Sequence, residues 1–70
     1  MFKFNFSHHA KEQQIERRVE DGEVKEAVIK GSKIIGKYKI KAQKRDIQVV
    51  FKKQGGDKVF IITVITGVYG

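Results

Sequence analysis

The sequence contains no cysteine and no proline, and it has one methionine among its 70 residues. Without cysteine the chain forms no disulfide and no thiolate zinc site, so its stability must come from apolar packing. The two histidines, His8 and His9, are adjacent and too few to hold a metal, and no cofactor is expected. Apolar runs are far shorter than the ~20 residues that span a bilayer, and the N-terminus has no signal-peptide pattern. These absences predict a cytoplasmic protein with no membrane association.

What the chain has in excess is positive charge, and that charge is unevenly placed. The formal net charge is +7. Residues 1–31 contain six basic and six acidic side chains, whereas residues 32–70 contain nine basic and two acidic ones. Such asymmetry favours an anionic partner, and nucleic acid above all. The alternative is a charged surface that only keeps the protein in solution.

The N-terminal half predicts one strand followed by two helices. Phe2, Phe4 and Phe6 alternate with polar residues, which is typical of a half-buried strand. Ser7 is a candidate N-cap for a helix over about residues 8–19, with Ile15 and Val19 on one face. A second helix is expected over 21–30, and Gly31 is expected to end it in a left-handed conformation.

The C-terminal half predicts strands. Residues 33–35 form either a short strand or an arm, and a strand is expected over 37–45, another over 47–53 and a last one over 58–66. Residues 54–57 carry a hairpin signal. The tail with Val68 and Tyr69 is either frayed or bound to a partner. Residues 1–70 therefore predict a single α+β domain of order β-α-α-β-β-β, with two helices packed on a mostly antiparallel sheet.

The strand over 37–45 is the main candidate for a binding surface. Its alternation predicts that Lys37, Lys39, Lys41 and Arg45 lie on one face, about 6.5–7 Å apart, with Lys44 close by. That spacing suits successive phosphates, whose neutralisation gives sequence-independent, salt-sensitive affinity. Tyr38 is a candidate for stacking on a base. The alternative is an edge strand that lysines protect from aggregation.

His9 and Arg17 are the candidate catalytic residues. A histidine exchanges protons near neutral pH, and RNA cleavage through its own 2′-hydroxyl needs an acid, a base and a cation but no metal. Arg17 lies some 80° around the helix from His9, nearly opposite Ile15 and Val19. A straight helix would therefore direct Arg17 to solvent, and an exposed, non-catalytic histidine is the alternative for His9.

A family resemblance accompanies these residues. His9-Ala10, then Arg17 and Val19, resembles the opening of a small domain-of-unknown-function family, and residues 23–31, 47–51 and 61–65 are similar to its second helix and terminal strands. That family is grouped with RelE- and BrnT-like toxins, which are small metal-independent ribonucleases. The resemblance implies a RelE-like fold over residues 6–66, with His9 and Arg17 in the site. Gln13 departs from the family's usual arginine, and Arg18 from its usual glycine.

Three functions remain open at this point. The leading hypothesis is an RNA-directed, toxin-like endoribonuclease that an acidic antitoxin protein inhibits. The second is a non-catalytic nucleic-acid-binding module, and the third is a protein-interaction subunit. RNA, an acidic antitoxin and a second copy of the chain are the candidate partners.

Overall fold

The computed structural model describes residues 2–67, which form two helices and five strands. In chain order the elements are β1 (Lys3–Phe6), α1 (His8–Arg17), α2 (Asp21–Lys30), β2 (Ser32–Ile35), β3 (Ile40–Lys44), β4 (Ile47–Lys53) and β5 (Lys58–Ile65). The α+β class is confirmed. Residues 32–35 form a strand rather than an arm, so four strands follow the helices where three were predicted. The predictions for Val68 and Tyr69 fall outside the described residues.

The five strands form one sheet in the order β1-β5-β4-β3-β2. β1 runs parallel to β5, and the three other neighbouring pairs are antiparallel, so the mostly antiparallel sheet is confirmed. The register places Ala42 beside Val49 and Val49 beside Val64. Side chains alternate between the two faces of each strand, so this row lies on a single face of the sheet.

That face packs against both helices and carries the core. Its buried side chains include Ala42, Val49, Phe51, Val59, Ile61 and Val64, which cluster with Ala10, Val24, Ala27 and Val28 from the helices. Phe4 and Phe6 of β1 pack against the same cluster. The opposite side of the sheet, which we call the helix-free face, carries residues of the alternate register, among them Lys41, Val50 and Thr63. Val50 is buried but does not belong to the core cluster, as its place on this face requires.

Helix α1 ends two residues before the predicted boundary. Arg18 adopts a left-handed conformation (φ 56°), and its N–H reaches the carbonyls of Gln14 and Ile15. This cap turns the chain so that Val19 is buried although it lies beyond the helix. The prediction that Ile15 shares a buried face with Val19 is wrong, because Ile15 is 80% exposed. The buried face of α1 is instead formed by Ala10 and Gln14.

Gly31 ends α2, but for a different reason from the predicted one. Its φ is −72°, so the expected left-handed cap is absent at this residue. A Cβ at Gly31 would collide with the carbonyl oxygen of Ala27 and lie 2.7 Å from the carbonyl oxygen of Gln43. Glycine is therefore needed because α2 and β3 approach each other closely here.

Neither helix within residues 2–67 is long and apolar enough to span a membrane.

Candidate nucleic-acid interface

Helix α1 is fixed along the edge of β5 by its own polar side chains. β1 pairs with β5 only as far as Ile61, so the rest of this edge of β5 needs other partners. Ser7 caps α1 by accepting from the Ala10 N–H (3.0 Å) and donates to the Ile62 carbonyl (2.8 Å). Gln13 accepts from the Val64 N–H at 2.9 Å. The Gln13 side chain thus satisfies part of the sheet edge.

Arg17 lies on the same side of α1 as Gln13, and it also contacts the chain at the end of β5. Its Nη1 donates to Thr66 Oγ1 at 3.4 Å. Arg17 is exposed, as predicted, but it lies beside the end of β5 and not opposite a buried Ile15, because Ile15 is itself exposed. His9, Gln13 and Arg17 recur every four residues and so form one stripe on the helix.

This stripe puts His9 and Arg17 on one surface but not at one point. The two residues are two turns apart, about 12 Å along the helix axis. His9 lies in the first turn and is exposed. The Nε2 of its neighbour His8 lies 2.8 Å from Glu12 Oε1, and His8 is also exposed, which makes it a matched comparison for His9.

The loop between β2 and β3 carries two of the predicted lysines, beside a third at the start of β3. The Gly36 N–H donates to the Lys39 carbonyl at 2.8 Å, which closes a four-residue turn. Residues 37–39 therefore lie in a loop and not in the predicted strand. An open pocket of about 430 Å³ is lined by Ile34, Gly36, Lys37, Tyr38, Lys39 and Lys41, and we call it the lysine–tyrosine pocket.

The lysine–tyrosine pocket combines cations with an exposed aromatic ring. Tyr38 is 77% exposed, and the Lys37 ammonium lies 5.4 Å from its ring centroid. Ile34, which is 70% exposed, adds an apolar wall. An accessible ring in a lysine-lined pocket offers a stacking surface for a base and contacts for the phosphates beside it.

Lys44 and Arg45 do not extend this cationic surface. Lys44 is placed beside Ile47, on the face that packs against the helices, and forms an ion pair with Glu26 of α2. Arg45 lies in the two-residue turn after β3 with φ 57°. A second pocket is lined by both cations, by Glu23 and Glu26, and by Ile47. The predicted continuous cationic face from Lys37 to Arg45 is therefore wrong, because α2 brings carboxylates to one end of the strand.

The sequence reasoning missed further lysines on the helix-free face. The register places Lys3 beside Lys58 and Lys52 beside Phe60, in the same alternate register as Lys41. None of the five strands contains an aspartate or glutamate; every carboxylate of residues 2–67 lies in a helix or in a connection. The helix-free face therefore carries lysines that no carboxylate of its own strands neutralises. The absence of aspartate and glutamate from these strand segments was visible in the sequence alone.

A cluster of polar side chains at the junction of α1 and α2 is structural. Gln14 is buried, and its Nε2 donates to Asp21 Oδ1 (2.7 Å) and to the Val19 carbonyl (3.3 Å). Lys11 also contacts Asp21, at 3.2 Å. The hydrogen bond from Gln14 and that from Lys11 hold the pKa of Asp21 below its usual range. Residues 2–67 contain no group of three or more side chains suited to a metal ion.

A family model described as "Domain of unknown function (DUF4258)" matches residues 6–66. No curated protein and no solved structure gives a significant match to the chain.

Proposed function

The chain belongs to the DUF4258 family, whose function is unknown, and we propose that it binds single-stranded RNA on the helix-free face. The observation that carries the proposal is the lysine–tyrosine pocket, which is lined by the exposed Tyr38 together with Lys37, Lys39 and Lys41. Lysine–phosphate contacts supply affinity without sequence preference, and a base stacked on tyrosine adds to it.

RNA is favoured over duplex DNA by the shape of this surface. The pocket is open and shallow, and its ring lies in a loop rather than on a helix that could enter a major groove. An unpaired base can reach an exposed ring, whereas a stacked base pair cannot. Single-stranded segments are therefore the ligand class that fits.

Cleavage of that RNA is the second part of the proposal: an RNA strand that continues from the helix-free face past the β1 edge of the sheet reaches α1, where the exposed His9 supports it. In metal-independent cleavage the 2′-oxygen attacks phosphorus and the bond to the 5′-oxygen breaks, which leaves a cyclic phosphate and a 5′-hydroxyl. One proton leaves the 2′-hydroxyl and one reaches the 5′-oxygen. His9 performs one transfer and water the other, while Arg17, two turns away along α1, contacts a neighbouring phosphate of the same RNA strand. We extend the proposal to a partner: an acidic, antitoxin-like protein blocks RNA by covering the same lysines.

The test combines binding and cleavage of a labelled single-stranded RNA by wild type, His9→Ala and His8→Ala. The His8 variant is the matched control, since it removes a neighbouring exposed imidazole. A general acid or base contributes about 10²–10⁴-fold, so His9→Ala should lose cleavage by that factor and retain binding.

Binding by all three proteins with no cleavage by any would leave a nucleic-acid-binding module. Equal losses of cleavage in both histidine variants would remove His9 from the mechanism. If no RNA binds even at low salt, the proposal fails, and the interaction-subunit alternative stands.

A further inference from the structure

Strand β2 is an exposed edge of the sheet. It is the last strand in the order, and within residues 2–67 it pairs only with β3. All four of its residues are exposed, and Ile34 and Ile35 are 70% and 78% exposed. An edge with unpaired backbone groups and bare β-branched side chains is a template for another strand.

Each face of β2 adjoins an apolar depression. Ile34 forms one wall of the lysine–tyrosine pocket on the helix-free face. Ile35 lines a groove of about 210 Å³ on the other face, together with Phe2, Ile29 and Ile40. A strand placed beside β2 would send successive side chains alternately into these two depressions.

The lysine within β2 does not protect this edge. Natural edge strands often extend a lysine outward to prevent pairing. The ammonium of Lys33 instead donates to the carbonyls of Ile29 (3.3 Å) and Gly31 (3.2 Å), at the C-terminal end of α2. Its charge is used to complete the helix end, so the outer side of β2 stays open.

Charge decides what can occupy the edge. Residues 30–45 contain seven basic side chains and no acidic one. A second copy would bring the same cations against themselves, on top of a net charge of +7 for each chain. Like charges at such short range oppose association, whereas carboxylates on an added strand would meet Lys37, Lys39 and Lys41.

We propose that β2 accepts an extended acidic segment of a partner protein as a sixth strand. The segment pairs through its backbone with β2, its apolar side chains enter the groove beside Ile35, and its carboxylates face the lysine–tyrosine pocket. The inference rests on the acidic partner of the proposed function and gives that partner a docking mode. It does not depend on RNA cleavage.

The test uses a fluorescent ten-residue peptide of alternating glutamate and valine. Three comparisons isolate its binding mode: a lysine–valine peptide, the acidic peptide with alternate backbone nitrogens methylated, and the protein variant Ile34→Thr/Ile35→Thr. Ile15→Thr is the protein control, because Ile15 is equally exposed (80%) but lies on α1. Threonine keeps the strand propensity of β2 while removing its apolar contacts.

We expect the acidic peptide alone to bind, with Ile34→Thr/Ile35→Thr weakening it about tenfold and Ile15→Thr leaving it unchanged. Amide protons of residues 32–35 should gain protection from exchange. Equal binding of the methylated peptide, or no binding of the acidic peptide, overturns the inference. A wild-type dimer that Ile34→Thr/Ile35→Thr dissociates also overturns it, since a second copy then fills the edge. RNA binding by the same variants, measured separately without peptide, reports on the proposed function alone.

Discussion

The two ends of β3 carry lysines of similar sequence context in opposite electrostatic surroundings. Lys41 and the preceding loop lysines line an open pocket with no carboxylate among its lining residues. Lys44, three residues later, is paired with Glu26 on the helix-packed side. A count of charges along the chain cannot distinguish these ends, because the neutralising groups come from a different element.

The charge distribution of α2 explains the difference. Its acidic residues Asp21 and Glu23 lie in the first turn, Glu26 lies at mid-helix, and Lys30 lies in the last turn. This arrangement suits the helix dipole, which favours negative charge at the start and positive charge at the end. Because α2 packs on β3 with its acidic end near Lys44, the requirement of the helix determines which end of β3 stays cationic.

The largest expected effect comes from removing the lysine charges at the open end of β3. Lys37→Gln/Lys39→Gln/Lys41→Gln should weaken binding of single-stranded RNA about 100-fold at low salt, if each lost contact costs about 1 kcal/mol. The slope of log affinity against log salt should fall by about 2, as expected for three phosphate contacts. Fluorescence anisotropy over a salt series measures both values. The matched control is Lys44→Gln/Arg45→Gln, for which less than about threefold is expected; equal losses in the two variants would abolish the contrast between the ends.

The second prediction tests the packing of α2 against β3. This packing brings carboxylates to the neutralised end of β3. Gly31→Ala should lower the free energy of unfolding by about 2 kcal/mol, since its Cβ would be forced against backbone carbonyls of α2 and β3. Denaturant unfolding followed by circular dichroism measures the change. Gly22→Ala is the control, because no atom lies within 4 Å of its Cβ position. That substitution, within α2, should be neutral or stabilising by up to about 1 kcal/mol. A Gly31→Ala protein as stable as wild type would show that stability does not require α2 and β3 to lie this close together.

Strand patterns were predictable from sequence where one face is buried. The bounds of β4 match the prediction, and the end of β5 differs by one residue, because alternating or continuous apolar residues report burial directly. The ends of α1 and β3 were not predictable in this way. Arg18 and Arg45 both adopt left-handed conformations that sequence preferences assign to glycine or asparagine.

The sequence predicted only part of the candidate site. Here too, local patterns do not report how distant segments of the chain come together. Alternation correctly separates Lys41 from Ala42, but it assumes a strand that continues through residues 37–45. The pairing of Lys44 with Glu26 and the contact of Arg17 with Thr66 join residues far apart in sequence. Such contacts depend on how helices pack on the sheet, which local patterns do not specify.

The third prediction removes the carboxylates of α2 that neutralise one end of β3, so that this end becomes cationic. Glu23→Gln/Glu26→Gln frees Lys44 and Arg45 from adjacent carboxylates and should raise RNA affinity about fivefold at low salt. The control is Glu12→Gln/Glu16→Gln on α1, which changes the net charge equally but away from β3. Anisotropy titrations compare the two proteins. A gain of the same size in both would mean that RNA responds to net charge rather than to this end of β3.

The smallest expected effect concerns the helix junction that holds the acidic end of α2 in place. Asp21 begins α2, and the hydrogen bonds from Gln14 and Lys11 lower its pKa in the folded protein. A carboxyl with a lowered folded-state pKa stabilises the protein above its unfolded pKa, about 3.9, and that stability is lost as pH falls through the folded-state pKa. Because Asp21 is about half exposed (53%), solvent screening reduces the contribution to about 0.5 kcal/mol.

Asp21→Asn should therefore lower stability slightly at neutral pH and flatten the acid limb of the pH–stability curve, measured by denaturant unfolding from pH 2 to 7. Asp57→Asn, in the β4–β5 turn, should leave that limb unchanged; an acid limb that is identical in wild type and Asp21→Asn would show that this junction does not stabilise the acidic end of α2.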